Sequence, residues 1–252
     1  MLSMHTALDT THEGQLAPRN AKLVLQERKA NEDNLGWLAR ALTKQKPKAS
    51  ECVLLLAGGS DRLSRRVRNA QSRLRQDLAP SWWSDVAVLI GTKAHADAQL
   101  VQISLDPRQG FGFPAERNGV QHEDLGHYGP SEKYPNLALL VVPAEAAAVL
   151  AAIGRLEKQR LQLDLPAMLL PWLAFGWGVG AAENPLLAGV GHPGAVLVES
   201  AFAQADFDLT PGLESRASCP EAIWQSATWW QQYHQARIKR QIRGAYVADE
   251  SL

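Results

Sequence analysis

The chain holds two thiols, Cys52 and Cys219, and neither sits in a pattern that activates sulfur. Cys52 opens the apolar run Cys52-Val53-Leu54-Leu55-Leu56-Ala57, where a thiol packs as a small hydrophobe. Cys219 lies in a Ser218-Cys219-Pro220 turn and reads as a buried or half-buried thiol. Two cysteines cannot make a disulfide framework or a four-cysteine zinc site. The run His122-Glu123-Asp124-x-x-His127 spaces its histidines at i, i+5, whereas a helical zinc pair needs i, i+4 on one face. Gly58-Gly59-Ser60 lacks the further glycine and the lysine of a phosphate-binding loop and reads as a strand-to-helix turn. The expectation is therefore no metal and no cofactor. Asp85 and His192 remain, and a carboxylate that orients an imidazole can make a general base.

These residues need a folded frame, and the composition supplies one. The chain has 252 residues, 46% hydrophobic and 21% charged, enough for a sizeable core. Lys+Arg and Asp+Glu are both 26, so the net charge is zero, which argues against a generally basic, nucleic-acid-coating protein. The first residues lack a basic stretch followed by an apolar run, so the expected location is cytoplasmic.

Along the chain, residues 1–20 read as a polar leader and 21–48 as one or two amphipathic helices ending at Lys44-Gln45-Lys46-Pro47-Lys48. The main domain spans 50–236 and a basic tail 237–252. Within the domain, 52–57 reads as a buried strand and 61–78 as an arginine-rich helix capped by Ser60 or Asp61. Residues 83–90, 98–105 and 134–142 read as strands. Residues 143–161 read as a helix with Pro143 near its start, 195–206 as an apolar helix and 220–236 as a tryptophan-rich one. The segment 165–182 carries no charge, but its prolines and glycines make it a buried segment or a pocket wall rather than a bilayer span. This order predicts an α+β domain, a small antiparallel sheet with helices on one side.

Three segments taken in order resemble the circularly permuted branch of the NlpC-type papain-like cysteine hydrolases, which includes YiiX-like and lecithin:retinol-acyltransferase-like proteins. Glu51-Cys52-Val53-Leu54-Leu55-Leu56, with Leu63-Ser64 behind it, is similar to the family's opening strand and helix. Trp83-Ser84-Asp85-Val86-Ala87-Val88-Leu89-Ile90-Gly91 is similar to its strand bearing the catalytic histidine. Gly194-Ala195-Val196-Leu197-Val198-Glu199-Ser200-Ala201-Phe202 is similar to its nucleophile helix. Gly119-Val120, Asp124-Leu125-x-x-Tyr128 and Pro220-Glu221-Ala222-Ile223-Trp224 fit the family's intervening and closing elements. The resemblance covers roughly residues 50–232 and implies a permuted papain-like fold.

The departures fall on the chemistry. Gly194, or Ala195 with a one-residue slip, stands where the resemblance places the nucleophilic cysteine, and Asp85 where it places the histidine. Neither Gly nor Ala is a nucleophile, and a carboxylate beside a thiol raises the thiol's pKa. The resemblance thus implies a catalytically inactive pseudoenzyme that binds a protein or small molecule in a remnant cleft. The cleft is expected to be bordered by Trp83, Ser84, Asp85, Ser104, His192 and Gly194. Free N–H groups at the helix start suit a carboxylate-bearing ligand. Two alternatives stay open: a hydrolase in which Asp85 and His192 activate water, and a peripheral membrane protein using 165–182 with the basic patches.

Overall fold

The computed structural model describes residues 23–106, 112–159, 163–234 and 242–249, without the side chains of 229–234. It is α+β: six α-helices and one seven-stranded mixed sheet among the described residues. The strands are β1 (Leu23–Leu25), β2 (Glu51–Gly58), β3 (Asp85–Leu89), β4 (Gln99–Gln102), β5 (Gln121–Asp124), β6 (Asn136–Glu145) and β7 (Arg243–Val247). The helices are α1 (Asn34–Gln45), α2 (Arg62–Ala70), α3 (Ala146–Leu156), α4 (Leu165–Trp177), α5 (Pro193–Gln204) and α6 (Pro220–His234). The spatial order β1-β7-β6-β2-β3-β4-β5 is antiparallel throughout except for the parallel pair β1–β7.

Helices cover both faces, not one as expected. The continuous apolar run of β2 follows from this, because a strand buried on both sides has no solvent-facing residues to alternate with. Val53, Leu55 and Ala57 join Ala87 and Leu89 of β3 against Trp37, Leu38 and Ala41 of α1. Leu54 and Leu56 join Val86 and Val88 in a second core with Ala195, Val198 and Phe202 of α5 and Val149 and Ile153 of α3. Asp85 shares its parity with Ala87 and Leu89, so its side chain lies on the α1 face.

Several boundaries move. Residues 23–25 form a strand, because the free edge of β7 offers backbone partners to Leu23 through Leu25. The helix expected over 61–78 stops at Ala70, where Gln71 turns its amide to the Val67 and Trp83 carbonyls. Pro143 belongs to β6, not to the helix: the register of β2 against β6 shifts between Glu51 and Cys52, and a bulge tolerates the missing N–H. The tail contributes β7, with Ala245 almost completely buried, so 243–247 is part of the sheet. The leader 1–20 lies outside the described residues. No described helix is long and apolar enough to cross a membrane.

Candidate functional site

Asp85 begins β3 opposite Ala57 of β2. Its Oδ1 accepts from the Val86 N–H at 2.9 Å, and its Oδ2 accepts from the Tyr128 hydroxyl at 2.9 Å. That hydroxyl also lies 2.5 Å from Gln102 Oε1, and Gln102 donates its amide to Glu123. Next to it, Ser84 Oγ accepts from the Gly59 N–H at 3.0 Å, pinning the turn after β2 to the start of β3. Gly58 permits that closeness, since a Cβ there would meet the Trp82 carbonyl oxygen at 1.8 Å.

A shallow cleft opens at this end of the sheet. Its polar lining is Asp61, Ser64, Ser84, Asp85, Ser104 and Asp106, and Tyr134 with Leu63, Val67 and Leu105 completes it. Asp61 caps α2, accepting from the Ser64 N–H at 3.0 Å and its hydroxyl at 2.6 Å. Burial would push the Asp61 carboxyl up, but the hydrogen bonds from Ser64 and nearby amides outweigh it and hold the group below its ordinary value. Ser104 Oγ accepts from the Asp106 N–H, and Lys133 Nζ reaches Asp106 at 3.3 Å.

Of the six expected cleft residues, Ser84, Asp85 and Ser104 line it, whereas Trp83, His192 and Gly194 are buried away from it. Asp61, Ser64, Asp106 and Tyr134 were not anticipated; the Asp-x-x-Ser cap at the start of α2 was the one legible signal for two of them.

The α5 end of the expected site is closed by packing. A Cβ on Gly194 would lie 3.0 Å from the Ile103 carbonyl oxygen and 3.3 Å from that of Val86. Ala195 is fully buried as well. His192 precedes the helix with its ring edge-on to Trp172, centroids 5.5 Å apart, and is fully buried. Neither ring nitrogen has a hydrogen-bond partner, and burial pushes its pKa down to about 3. The Asp85–His192 pair on which a water-activating hydrolase would depend is therefore not formed.

Both thiols are also unsuited to attack. Burial pushes Cys52 and Cys219 up to about 12, so they are protonated near neutrality. The members of the His122–His127 run diverge: His122 pairs with Glu157 at 2.6 Å, Glu123 with Gln102, Asp124 with Gln99 and His127 with Tyr134. Two buried carboxyls escaped the sequence reading. Glu199 of α5, next to Ser218 Oγ at 3.4 Å, is raised to about 7 by burial. Glu221 of α6, which accepts from Ser81 Oγ at 2.6 Å, is raised for the same reason.

Comparisons with protein-family models, with curated proteins and with solved structures returned no match.

Proposed function

We propose that the chain is a non-catalytic binding module on a permuted papain-like frame, with the cleft at Asp85 as its ligand seat. The observation that carries this reading is the contact of Gly194 with the Val86 and Ile103 carbonyls. It brings the start of α5 against the residue after Asp85 and the residue before Ser104, which is where the family resemblance expects nucleophile helix and base-bearing strand to meet. Yet a side chain at this position would start with its Cβ in tight contact with two carbonyl oxygens, at 3.0 Å and 3.3 Å.

The lining argues for the kind of ligand. Three carboxylates, Asp61, Asp85 and Asp106, line the cleft with three serines and a small apolar wall, and the Lys133 ammonium, 3.3 Å from Asp106, leaves the lining net negative. A carboxylate-bearing ligand would meet like charge there, and the N–H groups at the start of α5 lie outside the cleft. The complementary ligand carries an ammonium or guanidinium group beside a short apolar portion, recognised by charge-assisted hydrogen bonds.

Calorimetric titration with arginine and lysine amides, beside a panel of amide, ester and thioester substrates, tests this. We expect saturable binding that Asp85→Asn weakens about tenfold, the loss of one charge-assisted hydrogen bond, and no turnover of any substrate. Turnover that disappears in Asp85→Asn would establish an enzyme and overturn the reading.

A further inference from the structure

The helix of the uncharged segment, α4, is apolar on every side. Leu169, Trp172, Leu173 and Gly176 are buried against the domain. The outward stripe at positions 167, 170, 174 and 177 is Ala, Leu, Ala and Trp, with Leu170 64% and Trp177 54% exposed. The ridge continues after the helix, where Val179 is 60% exposed and Leu187, in a turn packed on α4, is 57% exposed. A helix with no polar face has a second apolar environment to satisfy besides its own core.

Two cations border the ridge. A Cβ on Gly178, which ends α4 in the left-handed conformation, would lie 2.8 Å from Arg66 Nη1 and 3.9 Å from Arg62 Nη2. Arg66 also lies over the Phe175 ring at 5.1 Å. Among the described residues, no carboxylate forms an ion pair with either arginine. The exposed acids nearby, Asp164 and Glu183, flank the two ends of the uncharged segment, and Asp61 is engaged in capping α2.

We infer that the α4 ridge is a docking surface for an anionic lipid bilayer, with Leu170 and Trp177 entering the interface and Arg62 and Arg66 held at the headgroups. At 13 residues the helix is about 20 Å long, too short to span and suited to lying in the interfacial plane. Tryptophan favours that boundary, and each arginine near an anionic surface strengthens attachment. The absence of polar side chains along the stripe favours lipid over a protein partner, whose orientation needs interfacial hydrogen bonds.

Co-sedimentation of the full chain with two vesicle types tests the inference: phosphatidylcholine alone, and an equimolar mixture with phosphatidylglycerol. The chain should pellet with the mixed vesicles at low salt, remain in solution with phosphatidylcholine alone, and detach as salt rises. Leu170→Ser and Trp177→Ser should each lower partitioning about tenfold, the effect of withholding one large apolar side chain. Arg62→Gln with Arg66→Gln should lower it about twenty-five-fold, about fivefold per charge. Leu170, Trp177 and Arg62 are exposed and Arg66 is half-buried, so thermal midpoints close to the parent's should confirm that the variants fold. A chain that stays in solution with the mixed vesicles at low salt overturns the inference, as do variants that pellet like the parent. A dimer in sedimentation velocity that Leu170→Ser dissociates would instead assign the ridge to a second copy, and so would also overturn it.

Discussion

Asn34 and His192 are equally buried, one on each side of the sheet, and their surroundings treat them in opposite ways. On the α1 face, Asn34 donates to the carbonyls of Tyr128 at 2.8 Å and Tyr134 at 2.9 Å, and its Oδ1 accepts from Arg28 at 2.7 Å and 3.0 Å. The same layer holds Asp85, Tyr128 and Gln102 in one hydrogen-bonded chain. On the α5 face, neither ring nitrogen of His192 has a hydrogen-bond partner, burial keeps Cys52 and Cys219 protonated, and it raises Glu199 to about 7. A hydrogen-bonded polar layer fixes geometry, whereas a desolvated one can only suppress charge. Catalysis needs charge to develop on a nucleophile and a base. The residues on the α5 side, where the resemblance locates the nucleophile, are the ones least able to carry it, and Asp85, at the base position, belongs to the other layer.

The largest effect should come from acid acting on His192. Its folded pKa, about 3, lies below the ordinary value of 6.5, so folding favours the neutral ring. That stability is complete above pH 6.5 and is lost as pH falls toward 3, about 5 kcal/mol in all at 1.36 kcal/mol per unit. Urea unfolding across this range should show His192→Leu without that loss. Next, Asn34→Leu should cost about 3 kcal/mol in urea at neutral pH, because two buried carbonyls and a guanidinium lose their partner. The faces would cease to differ if His192→Leu cost as much there.

Glu199→Gln should sharpen the contrast at a somewhat smaller scale. The Glu199 carboxyl titrates near 7 in the folded chain and near 4.5 when unfolded, so folding favours the protonated form. Its stabilising contribution is complete below pH 4.5 and declines as pH rises to 7, by about 3 kcal/mol at most. This slope is opposite in sign to that of His192, so between pH 4.5 and 6.5 the two nearly cancel in the parent. His192→Leu should therefore gain stability on mild acidification, and Glu199→Gln should lose it. Tyr128→Phe should cost about 1 kcal/mol, since Asp85 and Gln102 each lose one neighbour within an otherwise connected layer.

The sheet was legible wherever apolar runs were long: 52–57, 83–90 and 134–142 all contain strands, because burial on both faces leaves an uninterrupted hydrophobic signature. Pro143 misled, since the same residue suits the first turn of a helix or a bulge, and the partner strand decides which. β1 and β7 were invisible because three to five residues without turn signals gain their structure only from pairing, β7 on the edge of β6 and β1 on β7. Ser84 and Asp85 were found as part of a motif-bearing strand. Asp106 and Tyr134 were not, because they reach the cleft from separate loops that only the folded chain brings together. The burial of His192 left no mark on its Gly191 and Pro193 neighbours, since it depends on Trp172 of α4, twenty residues earlier in the chain.

Amide-resolved chemical-shift mapping with butylamine and butyrate, two probes alike in their apolar part and opposite in charge, shows whether the Asp85 cleft is a seat for a cationic ligand. Butylamine should perturb Ser64, Ser84, Ser104 and Asp106, Asp85→Asn should diminish the response, and butyrate should leave these signals in place. Perturbation by butyrate centred on Gly194 and Ala195, with the Asp85 cleft silent, would contradict a cationic seat at Asp85.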